Sequence, residues 1–148
     1  MDNFKIGFKI NTSYPQTSTQ SIYAVFKFLD VENIVTVVES LLLERKVFFI
    51  SNCENIIGMA IEAFLSFIYP LNWVHGIINP LSSSMIEYKD APMTVIFGLS
   101  TQHQHKLASN TDCILVFMDS NKVEVRNKED ATCKLSFHLR KQLCERLK

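Results

Sequence analysis

The sequence predicts an α/β fold in three layers, a central, mostly parallel sheet flanked by helices. Three observations predict it. First, residues 41–70 read as helix, strand, helix: an amphipathic segment ends near Glu44, an apolar run fills residues 47–50, and polar Ser51-Asn52-Cys53-Glu54 leads into a second apolar segment. Second, residues 47–50 lack period-two alternation, as does a strand covered on both faces in a parallel sheet between helical layers. Third, short apolar runs recur at residues 74–78, 93–97 and 113–118, which are the other strands expected in that sheet.

Composition limits the classes of function. A chain of 148 residues with 47% hydrophobic content and 11 Phe is large and apolar enough for one folded domain with a sizeable core. Lys plus Arg and Asp plus Glu each number 15, so no global field draws the protein to nucleic acid, which is not an expected partner. The four cysteines, Cys53, Cys113, Cys133 and Cys144, include no Cys-x-x-Cys pair and read as reduced thiols of a cytosolic protein. The N-terminus lacks the apolar stretch of a signal peptide, so the expected location is the cytoplasm. Residues 56–71 carry a single charge, yet the run is short for a membrane span and is interrupted by Glu62 and Pro70, so no transmembrane segment is expected.

Taken in order, Phe4, Ile6, Phe8 and Ile10 alternate with polar or small residues, the pattern of an edge or antiparallel strand. Residues 11–20, rich in Ser and Thr, read as a loop, and Ile22, Val25, Phe26 and Leu29 return at helical spacing. Asp30 is the expected N-cap of a helix with Val31, Ile34, Val35, Val38, Leu41 and Leu42 on one face. Glu32, Asn33, Thr36, Glu39 and Ser40 form the opposite, polar face. The helix over residues 56–68 leaves only a narrow stripe, Asn55, Gly58, Glu62, Ser66 and Tyr69, for water, which predicts a central helix enclosed on most of its circumference.

Beyond it, the strand at 74–78 is closed by Asn79-Pro80 and implies a second right-handed crossover. Ser82, Ser83 or Ser84 caps a short helix through Tyr88, Ala91-Pro92 breaks it, and the strand at 93–97 ends at Gly98. Residues 100–112 read as a flexible loop. The strand at 113–118, a turn at 119–122 and an antiparallel return at 123–125 form a hairpin. Leu135, Leu139, Leu143 and Leu147 give residues 134–148 one apolar helical stripe.

The chemistry is sparse. A strand ending in Ser51-Asn52 before a helix has the geometry with which α/β proteins hold phosphate, but neither Gly-x-Gly-x-x-Gly nor a P-loop occurs, so a simple helix cap is the favoured reading. No Gly-x-Ser-x-Gly elbow makes Ser51 a nucleophile. His103-Gln104-His105 has no acid or cysteine partner at ligand spacing, so no metal is expected there. His75 and His138 read as structural, Glu62 as solvent-facing, Trp73 as a core or boundary residue, and Arg45 and Lys46 as cations at the negative end of a helix. No catalytic residue, metal or cofactor is expected.

An ordered set of motifs remains: Leu42-Leu43-Glu44-Arg45-Lys46-Val47, Ser51, Tyr69-Pro70, Trp73-Val74-His75, Pro80-Leu81, Ala91-Pro92, Phe97-Gly98 and Phe117-Met118-Asp119. In this order, over residues 4–121, they resemble the central segment of DENN domains. Asn79-Pro80-Leu81-Ser82 departs from the family's frequent Leu-Pro, and Met93-Thr94 replaces a frequent second Pro region. The resemblance implies a single core domain over residues 1–148, without the upstream longin-like lobe and downstream helical part of a full module. It further implies guanine nucleotide exchange on a Rab-family small GTPase in membrane traffic, with a peripheral place at membranes and the rest of the module as partner. Exchange of this kind needs no acid-base chemistry, because the module holds the GTPase switch segments in a conformation that binds nucleotide poorly. The alternatives are a DENN-like interaction scaffold without exchange activity and an α/β enzyme using the crevice after Ser51.

In such sheets the loops at the carboxyl ends of parallel strands gather on one edge. Ser51-Asn52 and Asn79-Pro80 are therefore expected near one another, joined by Gly98-Leu99 if its strand runs the same way, with Asn52 free to meet a partner. Asp90, at the other end of the last crossover, is the second candidate contact. The competing reading of both is a cap or turn residue.

Overall fold

The computed structural model describes residues 17–110, 112–126 and 137–147, so the strand expected around residues 4–10 lies outside the described residues. The elements are α1 (Thr19–Phe28), α2 (Val31–Leu42), β1 (Val47–Ser51), α3 (Glu54–Phe67), β2 (Gly76–Ile78), β3 (Val95–Ser100), β4 (Cys113–Phe117), β5 (Lys122–Arg126) and α4 (Phe137–Leu147). The five strands form one sheet in the order β2-β3-β1-β4-β5, parallel except for β5. This is the α/β fold with a mostly parallel sheet that the sequence predicts.

β1 lies at its centre, paired with β3 from Val47↔Ile96 to Ser51↔Ser100 and with β4 from Val47↔Ile114 to Ile50↔Phe117. Its side chains alternate between two cores, which is why its sequence does not alternate in polarity. Val47 and Phe49 join Ile96, Ile114 and Val116 under α1, α2 and α3. Phe48 and Ile50 join Phe97, Leu99 and Leu115 on the other face, where Phe48 and Phe97 stack with ring centroids 4.8 Å apart. That second face is covered by two 3-10 segments, Ser83–Asp90 and Thr101–Leu107, which bring in Ile86 and Leu107, and by Leu81. The crossover from β1 to β2 uses α3 on one face, while those from β2 to β3 and β3 to β4 travel the opposite way across the sheet on the other face. Reversing both direction and face keeps a single hand.

α1 starts at Thr19 because Ser18 caps it, its Oγ accepting from Ser21 N at 3.1 Å. The loop reading of residues 11–20 therefore fails at its last two positions. α2 is capped by Asp30 as expected, with Asn33 N donating to Oδ1 at 2.8 Å. Glu39 and Ser40, placed on the polar face by periodicity, are buried. α4 covers that side of α2: Arg140 Nη1 donates to Glu39 Oε2 at 2.8 Å and Nη2 to Thr36 Oγ1 at 2.7 Å. A helix packed on two sides has no free polar face, and an ion pair lets a carboxylate sit inside.

α3 is the enclosed helix the sequence predicts, with Ile57, Ala60, Ile61, Ala63 and Phe64 buried and only Glu54, Asn55 and Glu62 exposed. Glu62 is partnered as well as exposed, accepting from Ser18 N at 3.1 Å and Ser21 Oγ at 2.7 Å, so it ties α1 to α3. Three further expectations shift. β3 continues through Gly98 to Ser100, because β1 offers partners as far as Ser51. β2 shrinks to three residues at the sheet edge and leaves Val74 exposed before it. Residues 101–107, read as loop, form a 3-10 segment anchored by fully buried Leu107. His138 is exposed on α4, its Nε2 3.0 Å from Gln142 Nε2.

Phe64 is fully buried, with its ring 5.3 Å from Phe49 and 5.6 Å from Phe67. Phe64→Ala is expected to cost about 3–5 kcal/mol through lost transfer energy and a residual cavity. An unchanged urea midpoint for this variant would show that α3 does not hold the core together.

Candidate functional site

The carboxyl edge of the sheet brings together β1, β3, β4 and the start of α3. Ser51 is fully buried; its Oγ donates to Asp119 Oδ1 at 2.7 Å and accepts from Cys53 N at 3.1 Å. Asp119 Oδ2 accepts from Asn52 N at 2.8 Å. One carboxylate from the turn after β4 thus holds the backbone that leads into α3. Ser51 and Asn52 are not the cap: the N-cap position is Cys53, which makes no side-chain cap hydrogen bond. The chain's own exposed Asp119 carboxylate therefore stands beside the helix N-terminus where a phosphate-binding α/β protein keeps its anion, and like charge opposes an anionic ligand.

Asn79 closes the same edge from β2. Its side chain lies against Gly98 of β3, and its Nδ2 is 3.7 Å from where a Cβ on Gly58 of α3 would sit. A Cβ on Gly98 would collide with Asn79 and lie 2.7 Å from Ile57 Cγ2, so this glycine is required by close approach and not by its dihedral angles. Leu81 N donates to Gly98 O at 2.6 Å as the chain turns onto the second face. The gathering of Ser51-Asn52, Asn79-Pro80 and Gly98 at one edge is as expected; what fills it is the protein's own Asn79. A second tie holds the α1–α2 junction to the turn after β4, with Asp30 N and Asn33 Nδ2 both donating to Asn121 Oδ1 at 2.9 Å.

At the amino edge an open cleft of about 570 Å³ is lined by residues 43–46, residues 90–94 and Asp112. α2 ends there in a double hydrogen bond: Arg45 N donates to Ser40 O and Glu44 N to Leu41 O, both at 3.0 Å. This closure puts Glu44 in the left-handed region at φ 52°. Thr94 Oγ1 donates to Glu44 O at 2.8 Å, fastening the strand start of β3 to this turn. Lys46 does not serve the α2 dipole; its Nζ reaches across to donate to Lys89 O at 3.1 Å and Ala91 O at 2.5 Å. His75 stands edge-on to Trp73, centroids 5.1 Å apart, with Nε2 3.3 Å from Glu44 Oε1. That pair is close but out of line, and His75 Nε2 is buried without a hydrogen-bond partner.

The two predicted contact residues lie at opposite ends of the sheet. Asn52 is exposed at the carboxyl edge, with its backbone N–H held by Asp119. Asp90 is exposed at the amino edge, where Lys89 Nζ donates to Oδ2 at 2.8 Å and Asn110 Nδ2 approaches Oδ1 at 3.5 Å. Of the residues that organise both edges, Asn79 is expected from the sequence at the carboxyl edge and Lys46 reads there as a dipole cation, whereas Asp119 and Glu44 have only motif positions to mark them. Burial pushes the Cys113 thiol up, against the pull of Arg126 and Lys46, which makes it a poor nucleophile. His103 sits in a 3-10 segment with Nε2 3.0 Å from Ser83 Oγ. No group of three His, Cys, Asp or Glu side chains among the described residues is placed to hold a metal ion.

Residues 1–121 match the DENN (AEX-3) domain. The chain belongs to the DENN domain family. Similar proteins include a DENN domain-containing protein of Schizosaccharomyces pombe, 30% identical over 137 residues, covering 90% of this chain and 14% of that protein. DENN domain-containing protein 2A of Mus musculus is 36% identical over 76 residues, 51% of this chain and 8% of its own length. Elicitor of plant defense protein 1 of Gibberella zeae is 27% identical over 114 residues, 77% of this chain and 10% of that protein. The chain thus spans between 8% and 14% of the length of these relatives. Two of the motifs quoted from the sequence fall at the two edges: Leu42-Leu43-Glu44-Arg45-Lys46-Val47 contains the α2 closure, and Phe117-Met118-Asp119 contains the Asp119 clamp. No helix among the described residues is long and apolar enough to cross a membrane.

Gly98→Ala is expected to destabilise the DENN fold by about 1–3 kcal/mol, since the neighbours are a wedged amide and a core Ile. Equal denaturation midpoints for Gly98→Ala and the parent chain would show that Asn79 moves aside freely.

Proposed function

We propose that this chain is the core of a DENN-type guanine nucleotide exchange module that acts on a Rab-family small GTPase. Membership of the DENN family, matched over residues 1–121, carries the reading. The module works by binding: it favours the GTPase conformation that holds nucleotide poorly, so nucleotide and module weaken each other's grip by the same factor. Residues 1–148 form one core domain, completed by an upstream longin-like lobe and a downstream helical part, and the protein serves in the cytoplasm and at membrane surfaces. The GTPase meets the carboxyl-edge loop at Asn52, whose side chain is outside the Asp119 clamp, and Asp90 marks a second contact at the amino edge.

The test is binding and release. The purified chain is titrated against a panel of Rab GTPases, nucleotide-free and GDP-loaded, and release of a fluorescent GDP analogue is followed. At least one GTPase is expected to bind more tightly when nucleotide-free and to lose GDP faster. Asn52→Ala and Asp90→Ala should each weaken that binding about fivefold, the effect of losing about 1 kcal/mol at an interface. Binding without preference for the nucleotide-free form would instead identify a DENN-like scaffold. No binding to any GTPase, by this chain or by the module that includes both flanking parts, would end the exchange reading, and full affinity in both folded variants would move the contact elsewhere.

A further inference from the structure

Glu44 is the residue whose cost the fold does not explain. It occupies the left-handed position that ends α2, at φ 52°, where glycine is the least strained residue and a side chain with a Cβ is disfavoured. The hydrogen bonds that need this turn are made by backbone atoms: Glu44 N to Leu41 O, Arg45 N to Ser40 O, and Glu44 O from Thr94. Glycine would make all of them. The carboxylate adds a misaligned approach to His75 and is otherwise open, with 63% of the side chain exposed.

Its surroundings point outward. Glu44 lines the amino-edge cleft together with Arg45, Lys46, Asp90 and Asp112. Lys46 is held by two carbonyls and Asp90 by Lys89. Among the described residues Arg45 and Asp112 make no side-chain hydrogen bond or ion pair, so two carboxylates and one guanidinium are left facing the cleft. Leu43 and Met93 in its wall are exposed, as is Val74 next to His75. A carboxylate kept in a strained position, in an excess of open acid and flanked by exposed apolar side chains, complements a protein surface that presents a basic side chain between apolar ones.

We propose that the Glu44 carboxylate is a partner-binding group that receives a Lys or Arg side chain of the docked GTPase, with Leu43 and Met93 as its apolar flanks. This rests on the exchange reading and adds the amino-edge cleft to the surface the GTPase covers. Strain retained for binding has a signature that a structural role lacks. Relieving it stabilises the fold while weakening the complex.

The experiment compares Glu44→Gly, Glu44→Gln and the distant control Glu145→Gln in the full chain. Thermal unfolding and affinity for the nucleotide-free Rab GTPase that the parent binds best are measured at low and high salt. Glu44→Gly is expected to raise the melting temperature by a few degrees. Both Glu44 variants should bind about tenfold more weakly at low salt and lose most of the parent's salt dependence, while Glu145→Gln changes neither property. A lowered melting temperature for Glu44→Gly would assign the carboxylate to the fold through His75 and overturn the proposal. Unchanged affinity in folded Glu44→Gln would overturn it and leave the exchange reading intact, whereas a parent chain that binds no GTPase, alone or within the module that includes both flanking parts, would overturn both.

Discussion

The described residues of this DENN-family chain are organised around β1, a five-residue strand paired on both sides and buried on both faces. A strand with no solvent on any side has to satisfy each backbone group from its neighbours and each side chain from a packed layer. That requirement fixes the rest. β3 and β4 satisfy its hydrogen bonds, α1, α2 and α3 cover Val47 and Phe49, and the two 3-10 segments cover Phe48 and Ile50. The 3-10 layer is thin because each crossover on that face is short and carries only one or two apolar anchors, Leu81 and Ile86 in the first and Leu107 in the second.

The two ends of β1 are treated differently, and the difference bears on function. At the carboxyl end, where α/β proteins commonly place a ligand, polar groups of the protein occupy the junction: Asp119 holds Ser51 and Asn52, and Asn79 is wedged against Gly98. At the amino end Glu44, Lys46 and Thr94 tie the strand starts together around an open cleft.

α4 shows how far the packed unit extends. It lies beyond the residues matched by the DENN family, yet its Arg140 neutralises Glu39, a carboxylate only 5% exposed on α2. A buried carboxylate is stable only with hydrogen bonds and a nearby positive charge, so α4 is an energetic part of the core it packs on.

The sequence by itself determined the elements whose burial is complete or whose ends are chemically marked. The unbroken apolar run of β1, the narrow polar stripe of α3 and the Asp30 cap each follow from local pattern, because a residue's polarity reports directly on whether water reaches it. The motif order also made the DENN family legible. Tertiary structure alone decided which polar residues meet. Glu39 has the spacing of a solvent face and is buried where Arg140 of α4 arrives from a hundred residues away. Ser51 looks like a helix cap and is instead held by Asp119, 68 positions later. Gly98 reads as a stop and is a gap for Asn79. Periodicity records how one element divides between inside and outside, whereas these contacts depend on the path of the chain between elements, and that path is set by closing the whole sheet around β1.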